Sequence, residues 1–245
     1  MYRFYWWTFC IVVAFIACQS TKPLSQKQNE KLDFYKVLSL QKSPCFGNCA
    51  VYKITVFSNG LAVYEGKENV EMKGVYFTEI KNSQSLIQQI RSVQWDQFNS
   101  NYFLNIPDLP ELDMKYYDTE GVLRKTIHSN TNLPSELSKI NDAVIKLEQS
   151  EHWTQLLKKE QANTPEIIKD EIIVDIDSSI TSQQLLQDFQ FCGLKIESQL
   201  SQYMSLYLMS FNKALIGPYE LLIVLRKQKG IRSANYNKKL SSREE

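Results

Sequence analysis

The stretch from Ser43 to Gly66 constrains the fold more than any other, because its spacing admits one kind of local structure. Tyr52, Ile54 and Val56 recur at a period of two, as in a strand with one buried face, and Leu61 to Glu65 is a second β-rich run. Between them, Ser58-Asn59-Gly60 supplies the turn. A three-residue loop with Gly60 left-handed sets Ile54 opposite Tyr64, Val56 opposite Ala62 and Lys53 opposite Glu65. A two-residue loop would set Glu65 against Ile54, so the three-residue register is expected.

At the start of the chain, Arg3 precedes an apolar run from Phe4 to Ala17 that ends at Cys18. This run is shorter than the roughly 20 residues a membrane-spanning helix needs. A basic start, an apolar centre and Ala17 before a cysteine read as a lipoprotein signal peptide over residues 1–18 with Cys18 acylated, although Phe15 stands where leucine is usual. The alternative is an uncleaved signal anchor in which Cys18 is a passive apolar residue. Either way the body is expected outside the cytoplasm, in the cell envelope, held to a membrane, with the outer membrane favoured. Residues 19–33 are polar and lack an apolar period, as a tether does.

The rest has the composition of a folded protein, 43% hydrophobic and 22% charged, with a formal net charge of +1. No basic stripe is present, so nucleic acid is not an expected partner. Residues 34–160 read as one α+β domain, an antiparallel meander sheet with helices on one side. Its strands are expected from Phe34 to Leu40, in the hairpin, near Gly74 to Ile80, from Glu111 to Tyr117 and from Val122 to His128. One helix follows Asn82 or Ser83 with Leu86, Ile87, Ile90 and Val93 on one face. Another follows Pro134 with Leu137, Ile140, Val144 and Leu147 inward, and a short helix is expected around Trp153, Leu156 and Leu157.

Cys45 and Cys49, in an oxidising compartment, read first as a disulfide. A redox pair is the weaker reading, since thioredoxin-like chemistry uses two intervening residues at a helix start. A metal site is weaker still, because His128, His152 and Cys192 lack the spacing of a closed zinc set. Asp108, Glu111 and Asp113 resemble paired hydrolytic acids only in number, and acids flanking Pro107 and Pro110 are ordinarily turn formers. No nucleophile signature or phosphate loop occurs, so no catalytic residue and no cofactor is expected. Sheet packing accounts for most of the Tyr and Trp residues, with an aromatic sugar-binding face as the open alternative.

Cys45-Phe46-Gly47-x-Cys49-x-x-Tyr52, followed by Asn59-Gly60, Val63-Tyr64-x-Gly66 and Lys73-Gly74, resembles a family of bacterial secreted domains and lipoproteins known only as a domain of unknown function. The likeness runs from about Tyr35 to Trp153. It departs from the family's usual pattern at Ala50, where proline is usual, and at Asn59, where an acid is usual. What it implies is architecture and no activity.

Residues 161–169, with Pro165, read as a linker, and residues 170–240 as a second domain before a tail at 241–245. The order there is strand Glu171 to Ile176, helix Ser182 to Phe189, strands Leu194 to Gln199 and Tyr203 to Phe211, helix Pro218 to Arg226 and strand Ile231 to Tyr236. That is βαββαβ, a small ferredoxin-like domain. The apolar strands and the ending Gly230-Ile-Arg-Ser-Ala-Asn-Tyr-Asn are similar to the inhibitory prosegments of subtilisin-like proteases, although no protease follows. The resemblance implies that one sheet face docks on a protease while a tail, here from Asn237, enters its cleft.

Met204, Leu206 and Leu208 are expected to face the helices of this domain, which leaves Tyr203, Tyr207, Met209 and Phe211 on the other face as partner-binding candidates. Burial of that stripe against the first domain is the alternative. The expectation is a membrane-anchored, non-enzymatic lipoprotein that binds proteins or envelope components. A subtilisin-type protease inhibitor and an envelope hydrolase are the rival classes.

Overall fold

A computed structural model describes residues 34–106, 108–162 and 167–239. The expected signal peptide, Cys18, the tether and the 241–245 tail lie outside the described residues.

β1 (Lys36–Lys42), β2 (Val51–Phe57) and β3 (Leu61–Glu68) form an antiparallel meander in the register the alternation dictates. Ile54 faces Tyr64, Val56 faces Ala62 and Lys53 faces Glu65. Gly60 closes the turn at φ 85°, a left-handed value open to glycine, and its N–H donates to the Phe57 carbonyl at 3.0 Å. Asn59 Oδ1 accepts from the Leu61 N–H at 3.1 Å, so the turn satisfies its own polar groups.

β4 (Gly74–Glu79), α1 (Ser83–Ser92), β5 (Asn101–Tyr102), β6 (Leu112–Tyr117), β7 (Leu123–Ser129), α2 (Ser135–Ser150) and β8 (Thr154–Lys158) follow in order. The strands make an eight-stranded sheet of order β5-β7-β6-β1-β2-β3-β4-β8. Leu86, Ile87 and Ile90 of α1 and Leu137, Ile140 and Val144 of α2 bury the face carrying Leu38, Ile54, Val56 and Tyr64. Each such side chain contributes about 1.5–3 kcal/mol of transfer free energy.

Two departures from expectation lie in this sheet. The segment at Leu156-Leu157 is a strand and not a helix, because β4 offers an open edge that β8 fills, with Val75 opposite Leu157 and Tyr76 opposite Gln155. β5 makes a two-residue parallel pairing with β7 inside a stretch whose turn residues read as loop.

α3 (Lys159–Ala162), β9 (Ile167–Ile176), α4 (Ser182–Asp188), β10 (Lys195–Gln199), β11 (Leu206–Ser210), α5 (Pro218–Lys227) and β12 (Ile231–Lys238) complete the described chain. The expected linker therefore holds the end of α3 and the start of β9. The four strands form a second antiparallel sheet of order β10-β11-β9-β12. Gly217, Pro218 and Glu220 start α5 in the usual way, with proline in the first turn and an acid near the positive helix end.

The two sheets share one hydrophobic cluster. Phe57, Leu61, Val63 and Val75, on the face of the large sheet away from α1 and α2, gather with Leu221, Leu222 and Leu225 of α5 and with Ile172 and Val174 of β9.

Candidate functional site

The partner-binding stripe expected on β11 is not a surface. Met209 is 0% exposed and Phe211 7%, Tyr207 packs on the same cluster, and only Tyr203, in the loop before β11, is 97% exposed. The parity is the reverse of the expected one, for a reason fixed by register. Tyr207 pairs with Val174 and Met209 with Ile172, and those β9 side chains lie in the core with α5. Neighbours on one face share its fate.

Leu206 and Leu208 consequently take the other parity. Leu208 pairs with Ile173 and Leu206 with Asp175, and all four are partly exposed. This patch is framed by polar pairs: Arg232 Nε donates to Asp175 Oδ2 at 3.0 Å, Asn237 Nδ2 donates to Glu171 Oε2 at 2.6 Å, and the Ser210 hydroxyl donates to Glu197. The β10–β11 loop extends the apolar character with Leu200, Tyr203 and Met204, all exposed. An apolar centre within a paired polar rim is the anatomy of a protein interface.

Between the large sheet and α5 lies a partly buried polar cluster. Lys53 Nζ meets Glu65 Oε1 at 3.0 Å, and Glu220, on the first turn of α5, is only 5% exposed. Burial pushes the Glu220 carboxyl above the usual carboxylate range, with Lys36 opposing that rise and Glu65 adding to it. Its carboxylate folds back over Gly217, where a Cβ would come within 1.9 Å of Glu220 Oε2. Burial likewise raises Tyr219 to about 12.

Beside this cluster a cleft of about 660 Å³ opens between the start of the large sheet and the loop joining β11 to α5. Phe34, Phe57, Tyr117 and Phe191 supply aromatic lining, and Lys36, Lys213 and Glu120 also line it. Phe34 and Phe57 stack at 4.8 Å. The sequence held no local signal for this cleft, because its walls come from distant segments.

Of the other candidates, Cys45 and Cys49 are joined in a disulfide with Cα atoms 5.7 Å apart. Their loop holds Phe46 89% exposed. Cys192 is a free, buried thiol pushed up to about 11 by burial. Asp113 and His128, separate in the sequence reading, come together: they are opposite one another on β6 and β7, with Nδ1 and Oδ1 at 2.5 Å. Asp108 adopts φ 62° in the turn before β6, in keeping with a turn former. Among the described residues no group of three His, Cys, Asp or Glu side chains has the arrangement to hold a metal ion. No helix among them is long and apolar enough to cross a membrane.

Residues 36–148, from β1 to most of α2, match the model of a family described as Domain of unknown function (DUF6438). No curated protein matches the chain, and no solved structure does.

Proposed function

We propose that this chain is a lipid-anchored envelope protein, attached through an acylated Cys18, that acts by binding another protein and not by catalysis. The observation that carries the reading is the small sheet, whose α4 and α5 pack on the Met209 face and which, among the described residues, leaves Ile173, Leu206 and Leu208 partly exposed within a polar rim on the other. The N-terminal sequence supplies the anchor and the Cys45–Cys49 disulfide suits an oxidising compartment. The test is a photo-crosslinking residue placed at Leu208 of the full chain in its native cells. A discrete protein adduct that disappears with Leu206→Asp supports the reading. No adduct, or one unaffected by Leu206→Asp, removes it. Acylation is tested separately by fatty-acid labelling of wild type and Cys18→Ala.

A second reading is inhibition of a subtilisin-like protease. The strand order β10-β11-β9-β12 favours it, being consistent with a ferredoxin-like βαββαβ domain of the kind prosegments use. Docking would then use the Leu206 and Leu208 face and not the Met209 and Phe211 stripe. Full-length protein that neither slows a panel of such proteases nor binds their active-site-blocked forms disposes of this reading.

A further inference from the structure

We infer that the end of the large sheet where the chain enters is a lipid-contacting surface, resting on the bilayer to which the N-terminus attaches the protein. The inference depends on that attachment and not on the open face of the small sheet. Two loops frame the entry point. The β6–β7 turn packs on Tyr35, close enough that a Cβ at Gly121 would come within 2.8 Å of the Tyr35 Cβ. The β11–α5 loop reaches the same place, because Ala214 and Leu215 line one cleft with Phe34 and Tyr35. Each loop leaves large apolar side chains in the open: Val122 is 45% exposed, Leu123 47% and Leu215 59%.

Both loops satisfy their own polar groups, as a segment meeting a surface poor in hydrogen bonds must. In the turn, Asp118 Oδ1 accepts from the N–H groups of Glu120 and Val122 at 2.9 Å, and the Val122 carbonyl accepts from the Asp118 N–H at 3.0 Å. In the second loop, Asn212 Oδ1 accepts from the Ala214 N–H at 2.9 Å and the Asn212 carbonyl from the Leu215 N–H at 3.0 Å. Charge is nearly balanced there. Arg124 is paired with Asp118 and Lys213 with Asp170, while Lys36 and Glu120 offset one another. The contact is therefore apolar, and zwitterionic phospholipid is enough to make it.

What meets this patch follows from where the chain outside the described residues ends. Residues 19–33 join the expected anchor to Phe34 and span at most about 50 Å. A bilayer is thus always within reach of the entry end, at high effective concentration. The disulfide end, with Phe46 exposed, lies the length of β1 away, seven residues or about 23 Å. Contact at the entry end asks the least of the tether.

The full chain is reconstituted in phosphatidylcholine vesicles, and flotation reads attachment. An environment-sensitive fluorescent amino acid is placed in turn at Val122, Leu215 and Phe46, with brominated phosphatidylcholine as the quencher. Emission at Val122 and Leu215 should shift to the blue and fall at least about twofold with brominated lipid, as expected of side chains at interfacial depth. Emission at Phe46 should be the same with and without bromine. With the probe at Leu123, Val122→Asp combined with Leu215→Asp should abolish quenching without lowering the thermal midpoint, since both side chains are exposed. Serine at both positions is the second variant should aspartate lower that midpoint. The inference is overturned if the chain floats yet the Val122 and Leu215 probes are quenched no more than the Phe46 probe. Quenching at Leu123 that survives both paired changes in the folded chain also overturns it. A chain that does not float removes the attachment, and this inference with it.

Discussion

Lys53 Nζ and Glu65 Oε1 lie 3.0 Å apart, facing each other across β2 and β3 on the side of the large sheet that meets α5. Burial lowers the lysine's proton affinity, but Glu65, by charge and hydrogen bond, with help from Glu220 and Tyr117, more than offsets this and leaves Lys53 raised above 10.5. Such a group stabilises the fold fully below its ordinary value and loses that contribution only as pH climbs through the raised one. Removing the cation strands Glu65 near buried Glu220. Lys53→Met should therefore cost about 1–2 kcal/mol in urea unfolding at neutral pH, and adding Glu65→Gln should recover part of it. Strict additivity of the two changes would show that the pair is not coupled.

Gly66 is the tightest position in the hairpin sheet. A Cβ there would sit 1.8 Å from the Met72 carbonyl oxygen, a backbone atom that cannot swing aside. Gly66→Ala should lower stability by about 3 kcal/mol or more, the scale of forced backbone displacement in a packed region. A denaturation midpoint within error of the parent would mean the β3–β4 loop sits elsewhere.

Glu220→Gln probes the buried cluster through its pH dependence. An acid raised by burial favours the protonated form in the folded state, so stability falls as pH rises from the ordinary carboxyl range of 4.5 through the folded-state value. Glutamine keeps the size and shape of the side chain and has no proton to lose. The variant should match wild type near pH 4 and exceed it increasingly towards pH 8. Parallel stability curves across that range would contradict the burial argument.

How far the sequence carried depends on whether the deciding contact is local. The Lys53–Glu65 register was legible because Asn59-Gly60 and the alternation of Tyr52, Ile54 and Val56 fix it within one hairpin. β8 was not, since what makes Leu156-Leu157 a strand is the edge of β4, far back in the chain. Of the candidate sites, the cysteine pair was readable from its spacing and from the compartment the N-terminal sequence leads one to expect. Asp113 and His128 meet only once β6 and β7 are in register, and the cleft lined by Phe34 and Phe191 closes only once the C-terminal strands and helices are in place.

The Cys45–Cys49 ring is small, so its loop-entropy contribution is about 2 kcal/mol. The double change to serine should lower stability by no more than this. It leaves the hydrophobic clusters intact, because Phe46 within the ring is exposed and belongs to neither. A loss of unfolding cooperativity in differential scanning calorimetry would assign the ring a larger part in the fold.

β11 offers the sharpest test of packing, because both of its parities are apolar and composition alone cannot choose between Leu206 with Leu208 and Tyr207 with Met209. The choice falls to β9: Met209 lies beside Ile172 under the helices, and Leu208 beside Ile173 on the open face. Met209→Ala empties part of a closed core and should cost about 2–5 kcal/mol. Leu208→Ala removes a partly exposed side chain and should cost about 1 kcal/mol or less in the isolated protein. The same Leu208→Ala change should weaken any partner held by the open face, so stability and binding separate cleanly at adjacent residues. Equal costs at the two positions, or the reverse order, would place the open face on the other parity and return Tyr207 and Met209 to the surface.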